Sequence, residues 1–185
     1  MPTVSVDMRG HLFLDTETTG VGPDARMVSI AAQLDLNGEP GWRFHYLIQP
    51  TFDIPSGATA IHGISTQVAR DFGVPCVQAL SSIASLFNSG HDIKLVGHNI
   101  DYDRRILAYE AEQFGHILHW PQSNFCTMRV LSPYVCSNGK RPKLGEAYIW
   151  MFGHPPLTEL HSARSDMLAC REIFYEGARR KLWQL

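Results

Sequence analysis

Asp15 and Glu17 stand two residues apart at the end of the run His11-Leu12-Phe13-Leu14-Asp15-Thr16-Glu17, where an apolar stretch gives way to polar sequence. Side chains alternate along a strand, so the two carboxylates face the same way, and close carboxylates suit a hard divalent cation. The pair alone carries little weight. With 18 acidic residues in the chain, chance supplies roughly 0.4 such spacings. Two more acids stand where helices should begin: Asp103, after Gly97-His98-Asn99-Ile100-Asp101-Tyr102, and Asp166, after His161-Ser162-Ala163-Arg164-Ser165.

The elements that must carry these acids are legible in outline. The run from His11 to Asp15 reads as a central strand buried on both faces. Met27 to Leu36 is a second strand, the turn formers Asn37-Gly38-Glu39-Pro40-Gly41 follow, and Trp42 to Gln49 completes an antiparallel hairpin. A short helical piece is expected around Ala58 to Gly63. A longer helix is expected from Val74 to Asn88, where Val77, Leu80, Ile83, Ala84 and Phe87 recur at helical spacing. Ile93 to Val96 returns to strand, Asn99 is a candidate N-cap for a helix over Ile100 to Phe114, and Asn124 to Thr127 is a last strand. A final helix should run from about Ser162 to Lys181, and Val135 to Pro142 is the best candidate for a mobile surface loop. The order predicts an α/β fold, a mixed sheet with helices packed on it, in one domain over residues 1–185.

Three motifs tie the acids together: Asp15-Thr16-Glu17-Thr18-Thr19-Gly20, then His98-Asn99 with Tyr102-Asp103, then His161, Ala163 and Asp166. For this composition chance supplies about 0.01 copies of the second and about 0.04 of the third. Together they resemble the three motifs of the DEDDh (DnaQ-like) 3′-to-5′ exonucleases, a family that includes polymerase proofreading subunits, exonuclease X, ribonuclease T and oligoribonuclease. The resemblance extends over Ala60 to Ser65 and Phe125 to Met128. In Asp103-Arg104-Arg105-Ile106-Leu107 and Cys126-Thr127-Met128 the chain looks most like exonuclease X. The fold it implies is the ribonuclease H-like mixed five-stranded sheet.

Four carboxylates brought together would repel one another by about 4 kcal/mol per pair at 4 Å and an effective dielectric near 20. The resemblance answers this with two divalent cations, Mg²⁺ or Mn²⁺, held by Asp15, Glu17, Asp103 and Asp166. Paired ions roughly 3.5 to 4 Å apart clamp the attacking and leaving oxygens of phosphoryl transfer. The resemblance implies that Asp15 bridges both ions, that Glu17 and Asp166 complete one, and that Asp103 holds the other, in part through water. It makes His161 the general base, a task suited to an imidazole, with Ala163 narrow enough to bring it close.

The resemblance places Thr18 and Gly20 against the 3′-terminal nucleotide and implies that His62 contacts the substrate. Ile61, with Ile64, either wedges against terminal bases or is core, and Tyr102 either packs on the sheet or touches the sugar. Asn99 and His98 are read mainly as structural, the latter as support for the loop. His116 and His119 lack ligand company and are not read as zinc ligands.

Composition alone points away from nucleic acid. The net charge is −2 and the pI near 6.5, without the basic excess usual for such partners. Residues 101 to 185 do hold eleven Lys or Arg against nine acids, clustered at Arg104-Arg105, at Lys140-Arg141-Pro142-Lys143 and at Arg179-Arg180-Lys181. Any of these could meet phosphate, although the last suits a helix C-terminus. The four cysteines show no metal or disulfide spacing and read as reduced thiols. No stretch has the length and character of a signal or membrane span, so a cytoplasmic protein is expected. The expected partner is DNA, single-stranded or at 3′ ends, with RNA the alternative substrate and a silent nucleic-acid-binding module the third reading. Processivity would come from self-association or a polymerase partner.

Overall fold

The computed structural model describes residues 9–136 and 139–185. Ser137 and Asn138, in the loop expected to be mobile, lie outside the described residues. The chain forms β1 (Arg9–Thr18), β2 (Met27–Leu36), β3 (Glu39–Leu47), α1 (Ser56–His62), α2 (Thr66–Phe72), α3 (Cys76–Phe87), β4 (Asp92–Gly97), α4 (Ile100–Gln113), β5 (Ser123–Cys126), α5 (Thr127–Val135), α6 (Leu144–Phe152) and α7 (Ala163–Arg179). One sheet runs in the order β3-β2-β1-β4-β5. β1 pairs antiparallel with β2 and parallel with β4, and β4 pairs parallel with β5. The expected mixed five-stranded sheet is therefore observed, with β1 at its centre.

Strand β1 alternates between two buried faces, as its continuous apolar run requires. Leu12 and Leu14 join Ile83, Ile100, Ile106 and Leu107 on the side of α3 and α4. Phe13 points the other way, to Ala31, Val96, Met167, Cys170 and Phe174, beneath α7. Asp15 and Glu17 follow Phe13 at two-residue steps, so they emerge on the α7 side at the end of the strand. The parallel partners β1 and β4 end at the same edge, where open α/β sheets leave a crevice between strand ends.

Three expectations need correction. The hairpin turn is only Asn37-Gly38, both at positive φ (53° and 87°), the conformation that tight hairpin turns require. β3 resumes at Glu39 despite Pro40 and Gly41, because it is an edge strand with a register shift opposite Gln33 and Asp35. Gly41 belongs there sterically, since a Cβ would lie 2.6 Å from the Leu34 carbonyl oxygen. Second, Val74 is not helical but bridges to Ile48, and the preceding α2 was not anticipated, although Ser65 caps it by accepting the Val68 N–H at 3.2 Å. Third, Asn99 does not cap α4 with its side chain. It adopts φ 73° and ψ 38°, a left-handed conformation that Asn tolerates, and its carbonyl accepts the Tyr102 N–H.

Candidate active site

Three short segments deliver the acids. Gly97 ends β4 where a Cβ would come within 2.7 Å of Ile100 Cδ1, so a bare backbone lets α4 close onto the sheet. The tight turn through His98 and Asn99 then places Asp103 in the first turn of α4. His98 supports this turn as expected: its Nδ1 meets Thr127 Oγ1 at 3.0 Å and its Nε2 the Pro142 carbonyl at 2.9 Å. Ser162 caps α7 by accepting the Ser165 N–H. Asp166 follows in the first turn, where its Oδ1 accepts the His161 N–H at 2.8 Å. Negative side chains suit helix N-termini.

Asp15, Glu17 and Asp166 converge, each offering a carboxylate oxygen such that these atoms lie within 4.8 Å of one another. Asp103 is beside this cluster and not in it. Its Oδ1 accepts both the backbone N–H and the hydroxyl of Thr16, at 2.9 and 2.7 Å. Thr16 points away from Asp15 and Glu17 by strand alternation, so Asp103 grips β1 from the α4 side. Thr16 was not singled out from the sequence; its only signal there is its place between the two carboxylates.

The electrostatics are those of crowded, poorly hydrated anions. Burial, then the charges of Asp103, Asp166 and Glu17, hold the Asp15 carboxyl well above the usual range. Burial and its neighbours push Glu17 up to about 7. Asp103 is also raised to about 7, chiefly by burial and against the Thr16 hydrogen bonds. Asp166 is raised by burial and partly relieved by the His161 N–H. All four shifts have the sign expected when anions lack a counter-charge. An all-oxygen set of this kind fits a hard divalent cation, which would reverse them.

His161 has φ 77°, unusual for a non-glycine residue, and its side chain is exposed. It is near enough to Asp166 to lower that carboxyl's affinity for a proton. Ala163 is fully buried among Phe13, Ala31 and Val96, which seats the entrance to α7 tightly on the sheet.

A cavity of about 590 Å³ adjoins the acids, lined by Thr18, Gly20, Val21, Ile61, His62 and Tyr102, among others. Its rim is apolar: Val21 and Ile61 are largely exposed. Ile64, by contrast, is half-buried and packs against Val28, Ile54, Ala58 and Ala69. The Tyr102 hydroxyl bonds Thr18 Oγ1 at 2.5 Å and the Gly20 carbonyl at 2.6 Å, so it braces this wall. His62 Nδ1 accepts the Ile64 N–H at 3.1 Å, which puts the ring proton on Nε2. That nitrogen is buried, and the Thr18 backbone is near enough to the ring to raise its pKa against the effect of burial.

Two further residues hold the wall, and neither was read as such. Arg105 donates to the Gly22 carbonyl at 2.9 Å and stacks on Tyr102, so this cation, one of those free by sequence to meet phosphate, is engaged within the protein. Arg104 likewise lies over Trp120. Arg26 makes a two-pronged contact with the buried Glu110, both distances 2.9 Å, and its N–H bonds Thr19 Oγ1. At the C-terminus, Arg179 and Arg180 pair with Glu176. The four cysteines are free thiols. No helix among the described residues is long and apolar enough to cross a membrane.

A mixed sheet with carboxylates gathered at the ends of its parallel strands, beside an open cleft, defines a class of nucleases. The chain belongs to the exonuclease family, whose model matches residues 12–174. It is 36% identical over 136 residues to the exonuclease CP81 of Escherichia phage 186, covering 70% of this chain and 66% of that protein. It is 34% identical over 176 residues to the DNA polymerase III subunit epsilon of Rickettsia typhi, covering 89% and 72%. The Rickettsia felis subunit matches at 37% over 103 residues, 54% of this chain and 43% of that one. The chain thus spans between 43% and 66% of the length of the phage and R. felis relatives. Among solved structures, Escherichia coli exonuclease I in complex with a dT13 oligonucleotide superposes with a TM-score of 0.77 at 19% identity, over 94% of this chain and 42% of that one. The fold is ribonuclease H-like, as expected.

Proposed function

We propose that residues 1–185 form one exonuclease domain that hydrolyses DNA from a free 3′ end and releases 5′-mononucleotides. The observation that carries this reading is the convergence of Asp15, Glu17 and Asp166 within 4.8 Å beside a nucleotide-sized cleft. Family membership supports exonuclease chemistry, and the names of the polymerase III relatives favour DNA.

Asp15, Glu17 and Asp166, with Asp103 beside them, would hold two Mg²⁺ or Mn²⁺ ions. Such ions supply positive charge that activates water and offsets charge building on the phosphate oxygens. Asp15 feels the charges of all three other carboxylates and would be the acid shared in holding the ions, with Glu17, Asp166 and Asp103 as its partners. His161, exposed beside Asp166, takes the proton of the attacking water as its oxygen bonds to phosphorus. The phosphorus–O3′ bond breaks and the shortened strand keeps a 3′ hydroxyl. Thr18, Gly20, Tyr102, Ile61 and His62 shape the cleft for the terminal nucleotide. The apolar rim at Ile61 favours its reading as a wedge, and the hydrogen bonds of Tyr102 favour a wall over a direct sugar contact. A polymerase or a second copy of the chain would extend the footprint.

The test uses single strands of DNA and RNA labelled at the 5′ end, incubated with Mg²⁺ and then with chelator. Stepwise shortening of DNA that stops on chelation is expected. Shortening of RNA in preference would shift the substrate assignment, cleavage that survives chelation would remove the metal assignment, and absent cleavage would remove the nuclease reading in favour of a silent binding module.

A further inference from the structure

A second cavity, of about 310 Å³, lies between α7 and the edge strand β3, lined by Gln33, Arg43, His45, Arg164, Met167 and others. It opens on the same face of the sheet as the acids. His45 pairs with Ala31, which pairs with Asp15, so the cavity is two strand spacings, roughly 10 Å, from the site. Arg164 precedes Asp166 by two positions on α7, which turns it through about 200° to the other side of the helix axis.

The chemistry of the lining is one-sided. It contains no acid, and among the described residues neither Arg43 nor Arg164 makes an ion pair. Two guanidiniums without carboxylates on one concave wall suit phosphate oxygens. Between them is a group that also asks for a ligand. Gln33, 2% exposed, donates its Nε2–H to Asp35 Oδ1 at 2.7 Å, which fixes the amide orientation and turns Oε1 away; that buried oxygen has no partner. Buried acceptors are rarely left unmatched. Gln33 pairs with Arg43 across β2 and β3, so acceptor and guanidinium share the wall.

We propose that this cavity is a second nucleotide subsite, taking a phosphodiester of the substrate strand upstream of the cleaved bond through Arg43 and Arg164, with an N–H or O–H of the same nucleotide donating to Gln33 Oε1. It rests on the nuclease reading for its choice of a nucleic-acid strand as ligand. It explains how a chain of net charge −2 grips a polyanion beyond the terminal residue: unpaired cations are concentrated beside the acids.

The test is binding, measured without turnover by anisotropy of 5′-labelled oligomers in chelator. Arg43→Gln with Arg164→Gln should weaken an oligomer at least tenfold and flatten the dependence of log affinity on log salt by about 0.7 for each phosphate no longer neutralised. A scan with single uncharged methylphosphonate linkages should find one linkage whose neutralisation costs wild type a comparable factor and costs the double variant almost nothing. Unchanged affinity in the double variant, equal small losses at every linkage, or no binding by wild type would each overturn the subsite. Gln33→Leu, its fold checked by thermal midpoint, identifies the donor. Weakening of both DNA and RNA assigns it to a base, and weakening of RNA alone to the 2′ hydroxyl. Weakening of neither removes Gln33 and overturns the proposal as stated. A wild type that binds in this pattern but releases no nucleotide would sink the catalytic reading and leave the subsite standing.

Discussion

Thr16 and Asp103 form a double clamp: one carboxylate oxygen of the helix residue accepts both the N–H and the hydroxyl of the strand residue. Thr16→Val removes the hydroxyl donor at nearly constant volume and frees Asp103 to rotate. Turnover should fall roughly tenfold to a hundredfold, as for other partners that orient ligands, with KM little changed and Thr16→Ser restoring most of the loss. Steady-state hydrolysis of a single-stranded oligomer measures all three.

Asp15 should trade stability for activity. Asp15→Asn removes an anion crowded by three other carboxylates and by burial, so the cation-free variant should melt above wild type at pH 8. Hydrolysis should fall at least about a thousandfold, in line with loss of a principal source of transition-state charge stabilisation. Calorimetry in chelator, paired with an activity assay, tests both. A destabilised or active variant would contradict the role given to this residue.

Cation binding should become more stabilising as pH rises. Glu17 holds its proton up to about 7 against an ordinary 4.5, and Asp103 is similarly raised. The folded state therefore binds more protons than the unfolded chain between those values, and stability from these groups falls as pH climbs through that window. Cations displace the protons and offset the loss. His11, His45 and His98, whose pKa values are lowered chiefly by desolvation, act oppositely, losing stability as pH drops below 6.5. The readout is thus the difference in thermal midpoint with and without Mg²⁺ at each pH, expected to be small near pH 5 and largest near pH 8.

His161→Asn suits a residue at φ 77°, because Asn tolerates that backbone where most residues are strained. Turnover should drop by about 10²- to 10⁴-fold, the usual range for loss of a general base. The Mg²⁺-induced thermal shift should persist, because His161 is assigned no ligand role. Loss of that shift would make it a ligand instead.

Glu110, 1% exposed on its side chain, carries the two-pronged contact to Arg26 and accepts the Met27 N–H at 2.8 Å. Glu110→Ala leaves Arg26 and that amide unmatched and should cost about 3 to 5 kcal/mol. Glu110→Gln, which keeps the shape, should cost less and raise KM for oligomers more than it lowers turnover, since the 19–26 loop walls the nucleotide cleft. Denaturant melts and a KM-against-kcat comparison separate the two effects.

The sequence by itself determined the elements with strong periodicity and the identities of the acids. The apolar run before Asp15, the two-residue step to Glu17 and the helix starts before Asp103 and Asp166 follow from local physics, because strand alternation and helix N-terminal preferences are written within a few residues. What only the tertiary structure decided depends on pairing across the chain: that Asp103 grips Thr16 from the opposite face and stays outside the cluster, that Arg105 turns inward to Gly22, and that Gln33, Arg43 and Arg164 share one wall. Each of those relationships joins residues more than eighty positions apart, and sheet order and helix packing, not local propensity, bring such partners together.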